Sequence, residues 1–256
     1  MRIAVPAETH EHETRVAATP ETVRKMVALG CEVAVQRDAG AASMFADADY
    51  EEAGAAIGKS FADTCADAAL LLKVRAPSKA ELSGLRKGMA VVGMFSPFTN
   101  PLLADYNKKG LSCFALEMIP RISRAQSMDV LSSQANIAGY KAVLLALEHY
   151  NRFMPMLMTA AGTVQPARVL VMGAGVAGLQ AIATARRLGA MVEAFDVRAA
   201  AREQVESLGA KFVEVPVEED AEDASGYARE VSEEYKRKQA ELIAGRAAEA
   251  DIIITT

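Results

Sequence analysis

Cysteine is scarce and scattered in these 256 residues: Cys31, Cys65 and Cys113 form no CxxC pair and no Cys/His spacing suited to a metal. A disulfide scaffold is excluded, and the three are read as reduced core thiols in a cytoplasmic compartment. Histidine is no better placed. His10 and His12 sit in a polar N-terminal turn and His149 near a helix end, so no metal is expected. Basic charge is not in excess: 28 Lys and Arg face 33 Asp and Glu, a net charge of −5, with no basic stripe. Nucleic acid is therefore excluded as a partner. No apolar run reaches the roughly 18 residues of a membrane span. The nearest, 143–147 and 153–161, are too short or flanked by charge. No signal peptide is expected, because residues 2–6 read directly as a strand. Low-complexity tracts and short repeats are also missing.

What is present is an ordinary soluble composition, 51% hydrophobic and 24% charged, organised around one stretch. Residues 169–172 are a short apolar run that predicts a buried strand. Gly173, Gly175 and Gly178 follow as G-x-G-x-x-G, with Ala174 and Val176 between them. Residues 176–188 have helical periodicity, Gly189 ends that helix, and a second strand, 191–195, closes on Asp196. This is the order a dinucleotide site needs. The first glycine lets the chain turn tightly, the second lets a pyrophosphate approach the backbone, and the third lets the helix pack against the sheet. The helix N-terminus offers N–H groups and partial positive charge to phosphates. Asp196 can accept hydrogen bonds from ribose hydroxyls and would repel a 2′-phosphate, which favours NAD over NADP. Arg198 is a counter-signal, since an arginine there could pair with such a phosphate.

Elsewhere strands alternate with helices. Strands are expected at 2–6, 31–36, 68–74, 89–95 and 111–116, and helices at 19–29, 47–56 and 101–109. Residues 117–127 are polar, without period, and read as a loop. A long helix, 127–150, is expected with Ser127 as N-cap and Asp129 in its first turn. A connector, 151–167, leads to the glycine motif. Beyond Asp196 come a helix (199–208), a strand (211–215), an acidic loop (218–223), a charged helix (227–248) and a strand (251–255). The predicted fold is α/β: two Rossmann-like parallel-sheet domains, 1–126 and 151–256, joined by the 127–150 helix. A fourth strand ending on an unpaired apolar edge predicts that the second domain is incomplete at its C-terminus.

Several segments carry a family likeness. MGAGVAGLQAIATARRLGA with DVR, EQVESLGAKF, PRISRAQSMDVLSSQANIAGYKAV, MTAAGTVQPARVLV and GYARE…KRKQAE resemble the NAD(H)-binding domain of the proton-translocating nicotinamide nucleotide transhydrogenase alpha subunit, within the alanine dehydrogenase/transhydrogenase family. The resemblance spans essentially the whole chain, and that family's sequence continues past residue 256. It implies that Arg121, Gln126, Asp129 and Ser132 act at the nicotinamide end of NAD(H). It further implies adenosine-side contacts by Gly175, Val176, Asp196, Val197 and Arg198, and contacts by Gly226 and Gln239. It implies hydride transfer to NADP+ held on a separate NADP(H)-binding domain, membrane-spanning subunits that couple the exchange to proton movement, a homodimer, and a cytoplasmic location peripheral to the inner membrane.

Alanine dehydrogenase is the alternative. MRIAVPAET…RVAATP resembles it, including Arg15, which in that enzyme would hold a substrate carboxylate. Deamination also moves protons, so it needs groups that titrate near neutrality. The Lys and His of that enzyme correspond here to Arg75, in KVRAP, and Ser96, in MFSPF. Arginine stays charged and cannot act as a base. Exchange between two nicotinamides needs neither group, only ring alignment. A non-catalytic NAD-binding module is a third reading.

Overall fold

Residues 1–215 and 232–256 are described in a computed structural model of the chain. They form two compact units, Met1–Val130 and Leu131–Thr256, each built on its own parallel sheet.

The first unit runs β1 (Arg2–Val5), α1 (Pro20–Ala28), β2 (Glu32–Gln36), α2 (Asp47–Glu52), β3 (Ala56–Gly58), α3 (Phe61–Cys65), β4 (Leu70–Arg75), β5 (Ala90–Met94), α4 (Leu103–Lys109) and β6 (Ser112–Ala115). The six strands are all parallel in the order β3-β2-β1-β4-β5-β6. The apolar runs read from the sequence fill both faces of this sheet, as parallel strands covered by helices require. Val5, Val23, Val33, Val35 and Tyr50 form one cluster. Leu71, Met89, Val91, Phe95 and Tyr106 form another. The two buried tyrosine hydroxyls are satisfied by backbone carbonyls, Tyr50 on Ala18 at 2.9 Å and Tyr106 on Pro77 at 2.6 Å. Helix α1 starts as its sequence dictates: the Thr19 hydroxyl accepts the Thr22 N–H at 3.3 Å, Pro20 takes the first turn, and Val23 is buried.

Four local expectations are corrected. Residues 47–56 are not one helix: α2 ends at Glu52, and Gly54, at φ +93°, turns the chain into the short edge strand β3. The loop 117–127 is partly ordered as 3-10 turns at Leu116–Met118 and Ser123–Met128. Ser127 lies inside the second turn and does not cap the long helix, while Asp129 is extended, at φ −74° and ψ 91°. Of the cysteines only Cys65 is a core thiol; Cys31 is half-buried and Cys113 exposed.

Helix α5 (Val130–His149) follows; its 20 residues span about 30 Å. Residues 151–167 contain an unforeseen antiparallel hairpin, β7 (Leu157–Thr159) with β8 (Gly162–Val164). The second unit continues with β9 (Arg168–Met172), α6 (Val176–Arg187), β10 (Met191–Phe195), α7 (Ala201–Ser207), β11 (Lys211–Phe212), α8 (Glu233–Glu249) and β12 (Ile252–Thr255). Its parallel sheet has the order β11-β10-β9-β12. Val169, Val171, Ile182, Val192 and Val205 are the centre of its core. The Ser232 hydroxyl caps α8 by accepting the Tyr235 N–H at 3.2 Å. The acidic segment 218–223 and the start expected for the last helix at 227 lie outside the described residues.

Candidate functional site

In an open parallel sheet, ligands sit beyond the carboxyl ends of the strands where the strand order reverses. In the second unit that point lies between β9 and β12, and the glycine turn occupies it. Gly173 has φ +97°, a conformation that side chains other than glycine rarely adopt. A Cβ on Gly173 would lie 2.7 Å from the backbone oxygen and the hydroxyl of Thr256. A Cβ on Gly178 would lie 1.8 Å from the Gly173 carbonyl oxygen, so only glycine lets α6 sit this close to the end of β9. Gly175 differs: a Cβ there would meet nothing within 4 Å. The backbone is bare at this point because the space in front of it is open. Gly175 is also the N-cap of α6, without a side-chain cap, and the first turn holds no acid. The N–H groups of that turn have no intrahelical acceptor, and their partial positive charge faces the opening. These residues fit a pyrophosphate.

Asp196, at the end of β10, is locked to this turn. Its Oδ2 accepts the Ala174 N–H at 2.7 Å, and its Oδ1 accepts the Arg198 N–H at 2.8 Å. The Arg198 guanidinium closes on both oxygens, with Nε donating to Oδ1 and Nη2 to Oδ2, each at 3.0 Å. Burial by itself pushes the carboxyl up, but the Arg198 side chain and the two N–H groups outweigh it and hold the group below its usual range. Arg198 is thus folded onto Asp196, a pairing that the sequence reading of a phosphate-seeking arginine did not include. Val197 packs half-buried against Phe195, Val213 and Tyr235. Gln239 is half-buried on α8, one turn after Tyr235 and so on the same face. Gly226 lies outside the described residues. Thr256 was not singled out from the sequence, yet its hydroxyl donates to the Gly173 carbonyl at 3.1 Å and its N–H to Met172 at 2.9 Å. Its only signal was its place after the last apolar strand.

The residues expected at the nicotinamide end are divided between the units. Arg121 and Gln126 are exposed and Asp129 half-buried in and around the 3-10 turn of the first unit; Ser132, half-buried on α5, belongs to the second. Met118, Ile122 and Met128 are more than half exposed beside them. Among the described residues, no three His, Cys, Asp or Glu side chains gather as a metal site would need, and no helix is long and apolar enough to cross a membrane.

A family model described as "Alanine dehydrogenase/PNT, N-terminal domain" matches residues 4–138, and its C-terminal counterpart matches residues 142–256. The chain belongs to the alanine dehydrogenase/PNT family. Within that family it is 48% identical, over its whole length and 69% of the relative's, to an NAD(P) transhydrogenase subunit alpha chain of Rhodospirillum rubrum. A crystal structure of transhydrogenase from Sinorhizobium meliloti superposes with a TM-score of 0.90 at 50% identity, covering 100% of this chain and 69% of that one. An alanine dehydrogenase of Halomonas elongata is 36% identical over 77% of the chain and 53% of its own length. Membership and fold together imply a nicotinamide nucleotide and an oxidoreductase role.

The alanine dehydrogenase/PNT fold repeats its strand order in the first unit, where the reversal lies between β1 and β4. Here the mouth is filled from within. Glu8, three residues past β1, accepts the Val74 N–H at 2.6 Å and the Arg75 N–H at 3.3 Å. Those N–H groups are released where the β4–β5 register shifts between Leu72 and Arg75. The Lys73 ammonium, 1% exposed, lies 2.5 Å from Glu81 and 3.7 Å from Glu8. Burial pushes the Glu8 carboxyl up despite Lys73. Beside this group, Arg15 holds both oxygens of Glu13 at 2.7 Å, and Arg75 donates to Glu13 Oε2 at 3.1 Å. Bonding from Arg15, ahead of the opposing effect of burial, draws the Glu13 carboxyl down to about 2. Ser96 sits at φ +49°, and its N–H and that of Phe95 are both taken by Glu117 Oε1.

Proposed function

We propose that this chain is the NAD(H)-binding component of a transhydrogenase, passing hydride from NADH to NADP+ held on a separate domain. The observation that supports the reading best is the turn 173–178, open only at Gly175 and joined through Ala174 to an ionised Asp196. The first turn of α6 would hold the pyrophosphate. Asp196 would accept the ribose hydroxyls, with Val197 and Arg198 lining the adenosine side and Gly226 and Gln239 making further contacts to the nucleotide. Arg121, Gln126, Asp129 and Ser132 would fix the carboxamide and orient the ring. When bound, NADH supplies a hydride, two electrons with one proton, and no other atom has to cross. The residues of this chain therefore orient and exclude, and none needs to carry a proton. The chain would act as a homodimer on the cytoplasmic side of the inner membrane, with membrane-spanning subunits coupling the exchange to proton movement.

Arg15 and Arg75 favour this reading over amino-acid dehydrogenation. Both are committed to Glu13, and Ser96 stands where a titrating imidazole would be required. The test uses the chain assembled with its partner subunits. Arg121→Ala and Gln126→Asn are expected to cut hydride transfer at least tenfold while NADH affinity stays within a few-fold, because the adenosine contacts persist. Equal loss of both would overturn the ring-orienting roles of Arg121 and Gln126. Turnover of pyruvate, ammonia and NADH by this chain would favour the dehydrogenase instead.

A further inference from the structure

Helix α5 mixes apolar and polar residues around its circumference with no single apolar face, and only Gly139 and Val143 are fully buried on it. Gly139 has no turn to make, since its φ is not in the left-handed region. Its reason is a close approach. A Cβ at Gly139 would fall 2.0 Å from the Ala177 carbonyl oxygen, 2.8 Å from its carbonyl carbon and 3.0 Å from its Cα. Backbone thus lies on backbone, with no side chain between. The contact is on the first turn of α6, whose N–H groups face the opening at Gly175. Val143, one turn further along α5 and 1% exposed, continues the same seam into the core of the second unit.

Ser132 is seven residues before Gly139. Seven residues are close to two helical turns, so the two share a face of α5, roughly 10 Å apart along its axis. A rigid helix fastened at Gly139 therefore fixes Ser132 relative to the turn 173–178. We propose that Gly139 is a positioning residue: its bare backbone against Ala177 sets the offset between the ring-orienting Ser132 and the phosphate-receiving end of α6. It touches no substrate and acts through Ser132. This rests on the transhydrogenase reading, which assigns those two ends to the two ends of one dinucleotide. A methyl group at 139 must displace α5 or the Ala177 carbonyl. A displacement near 1 Å at a ring that must align with a second ring costs on the order of 100-fold in rate, whereas contacts at the adenosine end are left as they were.

The experiment compares Gly139→Ala, Ser132→Ala and the double variant in the chain assembled with its partner subunits. NADH dissociation constant, maximal hydride transfer rate and melting temperature are measured on each. Gly245→Ala is the control, since a Cβ on that α8 glycine meets nothing within 4 Å. Gly139→Ala is expected to slow transfer more than tenfold with NADH affinity changed less than threefold, and to add little in the Ser132→Ala background. If Gly139→Ala does not fold, Val143→Leu overfills the same seam more gently and is expected to give the same split. An unchanged rate, a parallel loss of rate and affinity, or full additivity with Ser132→Ala overturns the proposal. If Ser132→Ala itself leaves transfer untouched, the site reading fails first.

Discussion

Asp196 accepts four hydrogen bonds from its own chain: the Ala174 N–H and three donors of Arg198. A carboxylate has about four acceptor positions, so a ribose must share or displace what is there. The charge nevertheless keeps its sign, because the same donors hold the carboxyl ionised. Asp196→Asn is expected to weaken NADH binding about tenfold, roughly 1.4 kcal/mol, and to strengthen NADPH binding, since Arg198 then meets a phosphate without a competing carboxylate. Titration calorimetry with both nucleotides checks this; unchanged selectivity would contradict it. Glu13 makes a second residue-scale prediction. Its folded value, about 2, lies below the ordinary 4.5, so its stabilising contribution is complete above about pH 4.5 and lost as pH falls toward 2. Glu13→Gln should flatten acid unfolding over that window, as followed by circular dichroism. Cys65, whose thiol burial pushes up to about 12, should resist alkylation at pH 8 while exposed Cys113 reacts, a difference that mass spectrometry reads directly. The identities of Asp196 and Arg198 were plain in the sequence, but their pairing was not, because a side chain's rotamer is chosen by neighbours that composition does not reveal.

At the scale of elements, the turn 173–178 was legible because two of its glycines answer to hard contacts. Gly178→Ala would drive a methyl to 1.8 Å from the Gly173 carbonyl. It should cost about 3 kcal/mol in urea unfolding and abolish NADH binding together with stability, unlike Gly139→Ala. Helix α1 was equally readable from Thr19, Pro20 and Glu21, and Thr19→Ala should cost about 1 kcal/mol. What escaped was short. The strand β3 has three residues, Ala56-Ile57-Gly58, and among the described residues pairs only along β2. The hairpin β7–β8 turns through Ala160 and Ala161 without an Asn-Gly or Asp-Gly signal. Helix α3 has five residues. Periodicity cannot register in so few positions, and sheet pairing or a cap decides them instead: the Ser60 hydroxyl accepts the Asp63 N–H at 3.2 Å to start α3. Helix α5 shows the opposite failure. Its length was clear, but the backbone of 123–128 tightened into a 3-10 turn and passed the helix start from Ser127 to Val130.

At the scale of the whole molecule, the two units repeat one strand order around separate cores. Topology alone would offer both as nucleotide sites; local chemistry separates them. The loop after β9 is Gly-Ala-Gly and leaves open space in front of Gly175, at the start of α6, while the loop after β1 is Pro-Ala-Glu and delivers a carboxylate to the Val74 and Arg75 N–H groups. NADH at 100 times its dissociation constant should stabilise what it binds by about 2.7 kcal/mol. Hydrogen exchange should slow in 168–215 and far less in the strands of the first unit; uniform protection would argue against separate cores. The fold class and both sheets were readable from apolar runs, whereas the difference between the two mouths needed coordinates, since it turns on where Glu8 reaches. Glu8 is tethered three residues beyond β1, and a tethered acid acts at an effective concentration of millimolar or more. A free metabolite acid would have to displace that standing occupancy before it could reach the Val74 and Arg75 N–H groups.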